Sequence, residues 1–196
     1  IVGPTGSGKS TLIRLLGRFY DFSDGSIFLD GIDLNQILSK ELRRRVGVVL
    51  QDFHVFTGSI YENISLGNPL VTKKKAQEAA QITNAHDFIT RLPQGYDTVM
   101  LERGANLSHG QRQLLAFARV LAADPEVLVL DEATASVDTE TELLIEKSLE
   151  KLIENRTAIL IAHRLQTVRK SDRILVLNEG KVEEFGAEKE LLSNQG

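Results

Sequence analysis

Cysteine is missing from all 196 residues, which excludes disulfide staples, cysteine-ligated metals and thiol nucleophiles. Long hydrophobic runs are missing too. The longest segment free of Asp, Glu, Lys and Arg covers residues 63–72, well short of the roughly 18 apolar residues a membrane helix requires. Nor is there an excess of basic charge. The 23 Lys and Arg against 27 Asp and Glu leave a formal charge of -4, so no electrostatic footprint for nucleic acid or an anionic membrane is present. The N-terminus shows no initiator Met, basic leader or apolar targeting segment. It opens on Ile1-Val2 and is in a glycine-rich turn by Gly3. Two residues are fewer than the usual strand of about 5–6, so the chain is expected to begin inside a strand, as a fragment of something longer.

What is present is an ordinary globular composition, 42% hydrophobic and 26% charged, at a length suited to one domain spanning 1–196. Hydrophobic periodicity and breakers predict alternating elements. Leu12, Ile13, Leu15 and Leu16 place a helix from Lys9 to near Gly17, which can supply a left-handed cap. Ile27-Phe28-Leu29 reads as a strand before an Asp30-Gly31 turn, and a small helix closes at Arg43, Arg44 and Arg45. Val46-Gly47-Val48-Val49-Leu50, Val127-Leu128-Val129-Leu130 and residues 158–162 read as strands buried on both faces of a parallel sheet. Helical patterns cover 72–92, 111–123 and 139–154, and residues 174–177 and 182–185 flank an Asn178-Glu179-Gly180 hairpin turn. The expected class is α/β with a mainly parallel sheet.

Gly3-Pro4-Thr5-Gly6-Ser7-Gly8-Lys9-Ser10 fits the phosphate-loop pattern. Glycines let backbone amides face a polyphosphate unobstructed, and the helix that follows aims its positive end at the anion. Lys9 brings a point charge to the β- and γ-phosphates, and Ser10 offers an oxygen to Mg2+. Downstream, the apolar run ending in Asp131-Glu132 delivers two carboxylates at the C-terminal end of a strand, where ligands sit in open α/β sheets. Asp131 is suited to holding Mg2+, and Glu132 to polarising an attacking water.

Between these motifs, Leu107-Ser108-His109-Gly110-Gln111 resembles the Leu-Ser-Gly-Gly-Gln signature of the ATP-binding cassette family, with His109 in place of the first Gly. The resemblance spans nearly the whole chain. It implies a phosphate-loop ATPase fold lacking its N-terminal strands, with a helical signature subdomain at about 72–123. It implies ATP and Mg2+ as ligands, with residues 3–10 and Thr11 holding the nucleotide and Ser108, Gly110 and Gln111 closing over the ATP of a second, identical or different cassette. Gln51, at the end of a buried strand, matches the family glutamine that senses Mg2+ and the attacking water, and His163 matches the switch histidine that orients Glu132. Residues 133–138 resemble the loop through which two cassettes meet.

Phe56-Thr57-Gly58-Ser59-Ile60-Tyr61-Glu62-Asn63-Ile64, Glu102-Arg103-Gly104 and Ala162-His163-Arg164-Leu165 are similar to export cassettes. The partners so implied are transmembrane domains, touched through coupling helices near Glu102, at the cytoplasmic face of a membrane, with no nucleic acid. Leu101 departs from the Gly usual before that Glu. The family's adenine-stacking aromatic lies upstream of Ile1, and Phe19 and Tyr20 are expected to pack in the core or an interface rather than replace it. Two other readings stay open: a regulatory cassette that does not hydrolyse ATP, which His109 would suit, and a DNA-repair cassette, disfavoured because residues 11–106 leave no room for a coiled-coil arm.

Overall fold

A computed structural model describes residues 1–50, 54–131, 139–162 and 165–193. In chain order the elements are α1 (Lys9–Leu16), β1 (Phe28–Leu29), β2 (Ile32–Asp33), α2 (Ser39–Arg45), β3 (Val46–Val49), β4 (Gly58–Ser59), α3 (Ile60–Ser65), α4 (Lys73–Ile82) and α5 (His86–Thr90). They continue with β5 (Val99–Met100), α6 (His109–Ala123), β6 (Val127–Asp131), α7 (Thr139–Ile153), β7 (Thr157–Ile161), α8 (Leu165–Arg169), β8 (Ile174–Asn178), β9 (Lys181–Gly186) and α9 (Glu188–Ser193). The class is α/β with a parallel sheet.

The chain divides into two compact units. The first comprises Ile1–Arg43, Val129–Ala133 and Ala158–Gly196, and the second Arg44–Leu128 and Thr134–Thr157. Residues 72–123 fall wholly in the second. β6 is divided between them, with Val127 and Leu128 in the second unit and residues 129–131 in the first.

In the first unit, Ile1 and Val2 lie between two strands. The Ile1 amine donates to the Leu160 carbonyl at 2.6 Å and the Ala162 amide to the Ile1 carbonyl at 3.1 Å. On the other side, Val2 pairs in parallel with Val176, through Val2 N–H to the Leu175 carbonyl and Leu177 N–H to the Val2 carbonyl, both at 2.9 Å. Val2 thus makes a single parallel bridge and belongs to no strand of the described residues. β8 and β9 form the antiparallel hairpin the sequence predicts, with Asn178 opposite Lys181.

The second unit is built around α6. Leu114, Leu115, Phe117 and Ala118 of this helix are buried against Ile60 and Ile64 of α3, Ala76 and Ala80 of α4 and Ile145 and Leu152 of α7. At roughly 1.5–3 kcal/mol for each large apolar side chain removed from water, this cluster supplies a substantial driving force. Gly47 of β3 is required by close approach, since a Cβ there would stand 2.7 Å from Pro125 and 2.8 Å from Val120.

Several local expectations change. The left-handed residue after α1 is Arg18 (φ 49), while Gly17 stays at φ -78; Arg18 is held there by donating its guanidinium to the Leu34 and Ile37 carbonyls at 3.0 and 2.6 Å. The helical pattern over 72–92 is two helices, because Asn84 turns left-handed at φ 55 and ends the first. The helix expected from 111 begins at His109, where Ser108 caps it. Phe19 and Tyr20 are 55% and 56% exposed, which removes core packing as their role.

Candidate nucleotide site

The phosphate loop belongs to the first unit and leads into α1 through Gly8, the residue at the helix N-cap, with φ 102. An L side chain rarely adopts that conformation, so the motif's third glycine is a backbone requirement here. Gly3 is required for a different reason: the Leu177 carbonyl occupies the place where a Cβ would stand. The first-turn N–H groups of an α-helix have no partner within the helix and carry its positive end, so an anion is favoured at this point.

Lys9 is buried, and its ammonium donates to the Gly3 and Pro4 carbonyls, both at 2.8 Å. The positive charge is therefore folded across the loop that it would share with a phosphate. Ser7 is also buried, and its Oγ has no hydrogen-bond partner among the described residues. Such an atom normally finds a partner, and a phosphate oxygen is of the right chemistry. Ser10 is exposed and donates its hydroxyl to an Asp131 carboxylate oxygen at 3.3 Å. One hydroxyl and one carboxylate, brought together from residues 121 apart in the chain, form a hard-oxygen pair of the kind Mg2+ takes alongside substrate phosphates. The residues present fit both groups.

In the second unit, Ser108 caps α6 through a reciprocal pair: its Oγ accepts from Gln111 N–H at 3.2 Å, while its own N–H donates to Gln111 Oε1 at 2.9 Å. Two residues of the signature motif, Ser108 and Gln111, thus set the helix start, and His109 occupies the first helical position without breaking the cap. Gly110 is buried where a Cβ would collide with the Thr141 methyl of α7. Glu102 and Leu101 are exposed, with Glu102 opening a single 3-10 turn. Gln51, Glu132, His163 and residues 133–138 lie outside the described residues.

One charged group had no place in the sequence reading. Arg119 is half-buried in α6 and donates to the Asn63 carbonyl at 2.8 Å and the His54 carbonyl at 2.9 Å. Asn63 in turn holds Phe56 by both of its backbone groups, at 2.8 and 2.9 Å. Desolvation pushes the Arg119 guanidinium down to about 10. The signal was legible in principle, as an Arg inside the otherwise apolar run Ala116-Phe117-Ala118-Arg119-Val120-Leu121.

A family model described as ABC transporter matches residues 1–135. The chain belongs to the ABC transporter family. The ABC transporter ATP-binding protein YfiC of Bacillus subtilis, described as uncharacterized, is 47% identical over 195 residues, covering 100% of this chain and 32% of that protein. A putative multidrug export ATP-binding/permease protein of Staphylococcus aureus is 46% identical over 195 residues, 34% of its length. A solved bacterial Atm1-family ABC exporter with ATP bound superposes with a TM-score of 0.89 at 45% identity, over 100% of this chain and 34% of that one. This ABC chain thus spans about a third of the relatives it matches. Among its described residues no helix is long and apolar enough to cross a membrane.

Proposed function

We infer that this ABC chain binds and hydrolyses ATP and that hydrolysis powers export through membrane domains at the cytoplasmic face. The observation that carries the reading is the meeting of Ser10 and Asp131 at 3.3 Å beside the buried Lys9, at the head of α1. Loop amides and Lys9 would hold the phosphates, with Thr11 following them in α1. Ser10, Asp131 and Gln51 would hold Mg2+, which when bound supplies charge to offset that of the phosphates. Glu132 then takes a proton from the attacking water, and His163 orients it. The water is in line with the γ-phosphate only if these groups hold it there, which is why positioning carries most of the rate.

Ser108, Gly110 and Gln111 would meet the ATP on a second cassette, identical or different, arranged head to tail. The exposed Ser108 hydroxyl at the start of a 15-residue helix supports this assignment, because a helix N-terminus favours an anion. Nucleotide then acts by binding the closed pair better than the open one. The coupling contact with membrane domains is assigned to the exposed segment at Glu102.

Glu132→Gln in the intact protein tests the reading. The expected result is retained ATP binding, an ATP-stabilised dimer by sizing chromatography and a loss of turnover of at least about 100-fold, the usual worth of a general base. Unchanged turnover removes Glu132 from the role of base. No hydrolysis by the unaltered protein, even in a single turnover, favours the regulatory reading that His109 suggests.

A further inference from the structure

The turn joining β8 to β9 has no part in the assignments above, yet it touches the phosphate loop. Gly180 N–H donates to the Ser7 carbonyl at 3.0 Å, and the Gly180 Cα lies 3.6 Å from the place of a Cβ on Gly8. Just before the turn, Leu177 donates to the Val2 carbonyl at 2.9 Å, and its own carbonyl fills the space beside Gly3. The end of β8 and its turn therefore seat both the entry of the loop at Gly3 and its exit at Ser7-Gly8, and all of these residues belong to the first unit. No peptide bond among the described residues is cis, so the Ser7 carbonyl and the Gly8 N–H point opposite ways across one planar peptide. With the carbonyl tied to Gly180, the Gly8 N–H faces away from the hairpin, at the N-terminus of α1.

We propose that Gly180 is a positioning residue for the nucleotide phosphates: its amide holds the Ser7 carbonyl and so orients the Gly8 amide toward the phosphate. The proposal rests on residues 3–10 being the nucleotide site. The turn is shaped for the task. Glu179 at φ 48 and Gly180 at φ 76 are the successive left-handed pair of a tight hairpin, which carries the Gly180 N–H to the loop. A Cβ on Gly180 meets nothing within 4 Å, so a substitution there acts through the backbone and not through a clash.

The test compares ATPase kinetics and thermal midpoints of the intact protein carrying Gly180→Val, Gly180→Ala or Gly25→Val. Gly25 is a matched control, with φ 79 and equally open space, and among the described residues it makes no hydrogen bond to the phosphate loop. An L side chain forced into this region shifts the turn, and the expected result is a rise in KM for ATP of up to roughly tenfold in Gly180→Val with kcat held within twofold. Gly180→Ala should show a smaller rise, and Gly25→Val should lower the thermal midpoint without moving KM. If Gly180→Val fails to fold, Gly180→Ala decides. An unchanged KM in a folded Gly180 variant, or a KM rise in Gly25→Val as large as at 180, overturns the proposal. Lys9→Ala binding ATP as tightly as the unaltered protein would instead overturn the nucleotide site itself.

Discussion

Lys9 sits where two demands conflict: a buried ammonium needs partners at all times, while a phosphate ligand is present only part of the time. The loop resolves this by offering the Gly3 and Pro4 carbonyls as substitutes, both at 2.8 Å. These bonds must be exchanged when phosphate arrives, so the net gain from Lys9 is less than a bare ion pair would suggest. A hydrogen bond to a charged group contributes about 1.5–3 kcal/mol, and on that basis Lys9→Ala should weaken ATP binding by roughly 10- to 100-fold. Calorimetry on the intact protein measures this directly. A change below threefold would remove Lys9 from the phosphate contacts and, with it, the assignment of residues 3–10 as the nucleotide site. Asp131 and Ser10 show the same economy, since the hydroxyl that would meet a cation donates meanwhile to the carboxylate that would share it.

Helix starts govern much of what the elements do here. α3 has six residues and cannot hold itself by length; it is fixed at its N-terminus by a reciprocal cap. Ser59 Oγ accepts from Glu62 N–H at 3.1 Å, and the Ser59 N–H donates to a Glu62 carboxylate oxygen at 2.7 Å. That backbone hydrogen bond, followed by the one from the Ser59 hydroxyl, lowers the Glu62 pKa. The stabilisation from a lowered carboxylate is present above its ordinary pKa and is lost as pH falls through the lowered folded value. Glu62→Gln should therefore flatten the acid limb of the stability curve, leaving the neutral region little changed, because Gln still serves as an acceptor in this box. Thermal midpoints between pH 3 and pH 7 check it, and parallel curves for the two proteins would show that Glu62 takes no part in acid sensitivity.

The same elements mark how far the sequence could be read. The phosphate loop, β6 with Asp131, and the β8–β9 hairpin follow from glycine spacing, a continuous apolar run and turn residues, all local signals. Periodicity does not reveal α3, because six residues span fewer than two turns, although its Ser59-x-x-Glu62 pattern names its start. The break between α4 and α5 escaped because Asn84 turns left-handed in a stretch whose flanking residues remain helical in type. Arg18, not Gly17, took the left-handed conformation because two carbonyls 16 and 19 residues away hold its guanidinium. Contacts at that range leave no trace in local pattern.

At the scale of the molecule, the groups proposed to meet nucleotide are unevenly divided. The loop at 3–10, Asp131 and the bracing strand β8 all fall in the first unit, whereas Ser108 and Gly110 fall in the second. A ligand that binds only the folded state stabilises it by about 2.7 kcal/mol at 100 times its dissociation constant. That free energy is felt by whichever part must unfold to release the ligand. ATP without Mg2+, which permits binding while withholding hydrolysis, should then slow amide hydrogen exchange chiefly in the first unit: in α1, in β7 and in β8, whose Leu175 carbonyl and Leu177 N–H hold Val2. The amides of α4 and of the middle of α6, two helices packed on each other with Ala80 and Leu115 buried, should change by less than about a third as much on a logarithmic scale if the units open separately. Exchange mass spectrometry with and without nucleotide reads both regions in one experiment, and Lys9→Ala removes the effect if binding causes it. Equal slowing in the two units would mean that they open together, and the stabilisation by ATP would then belong to the whole chain.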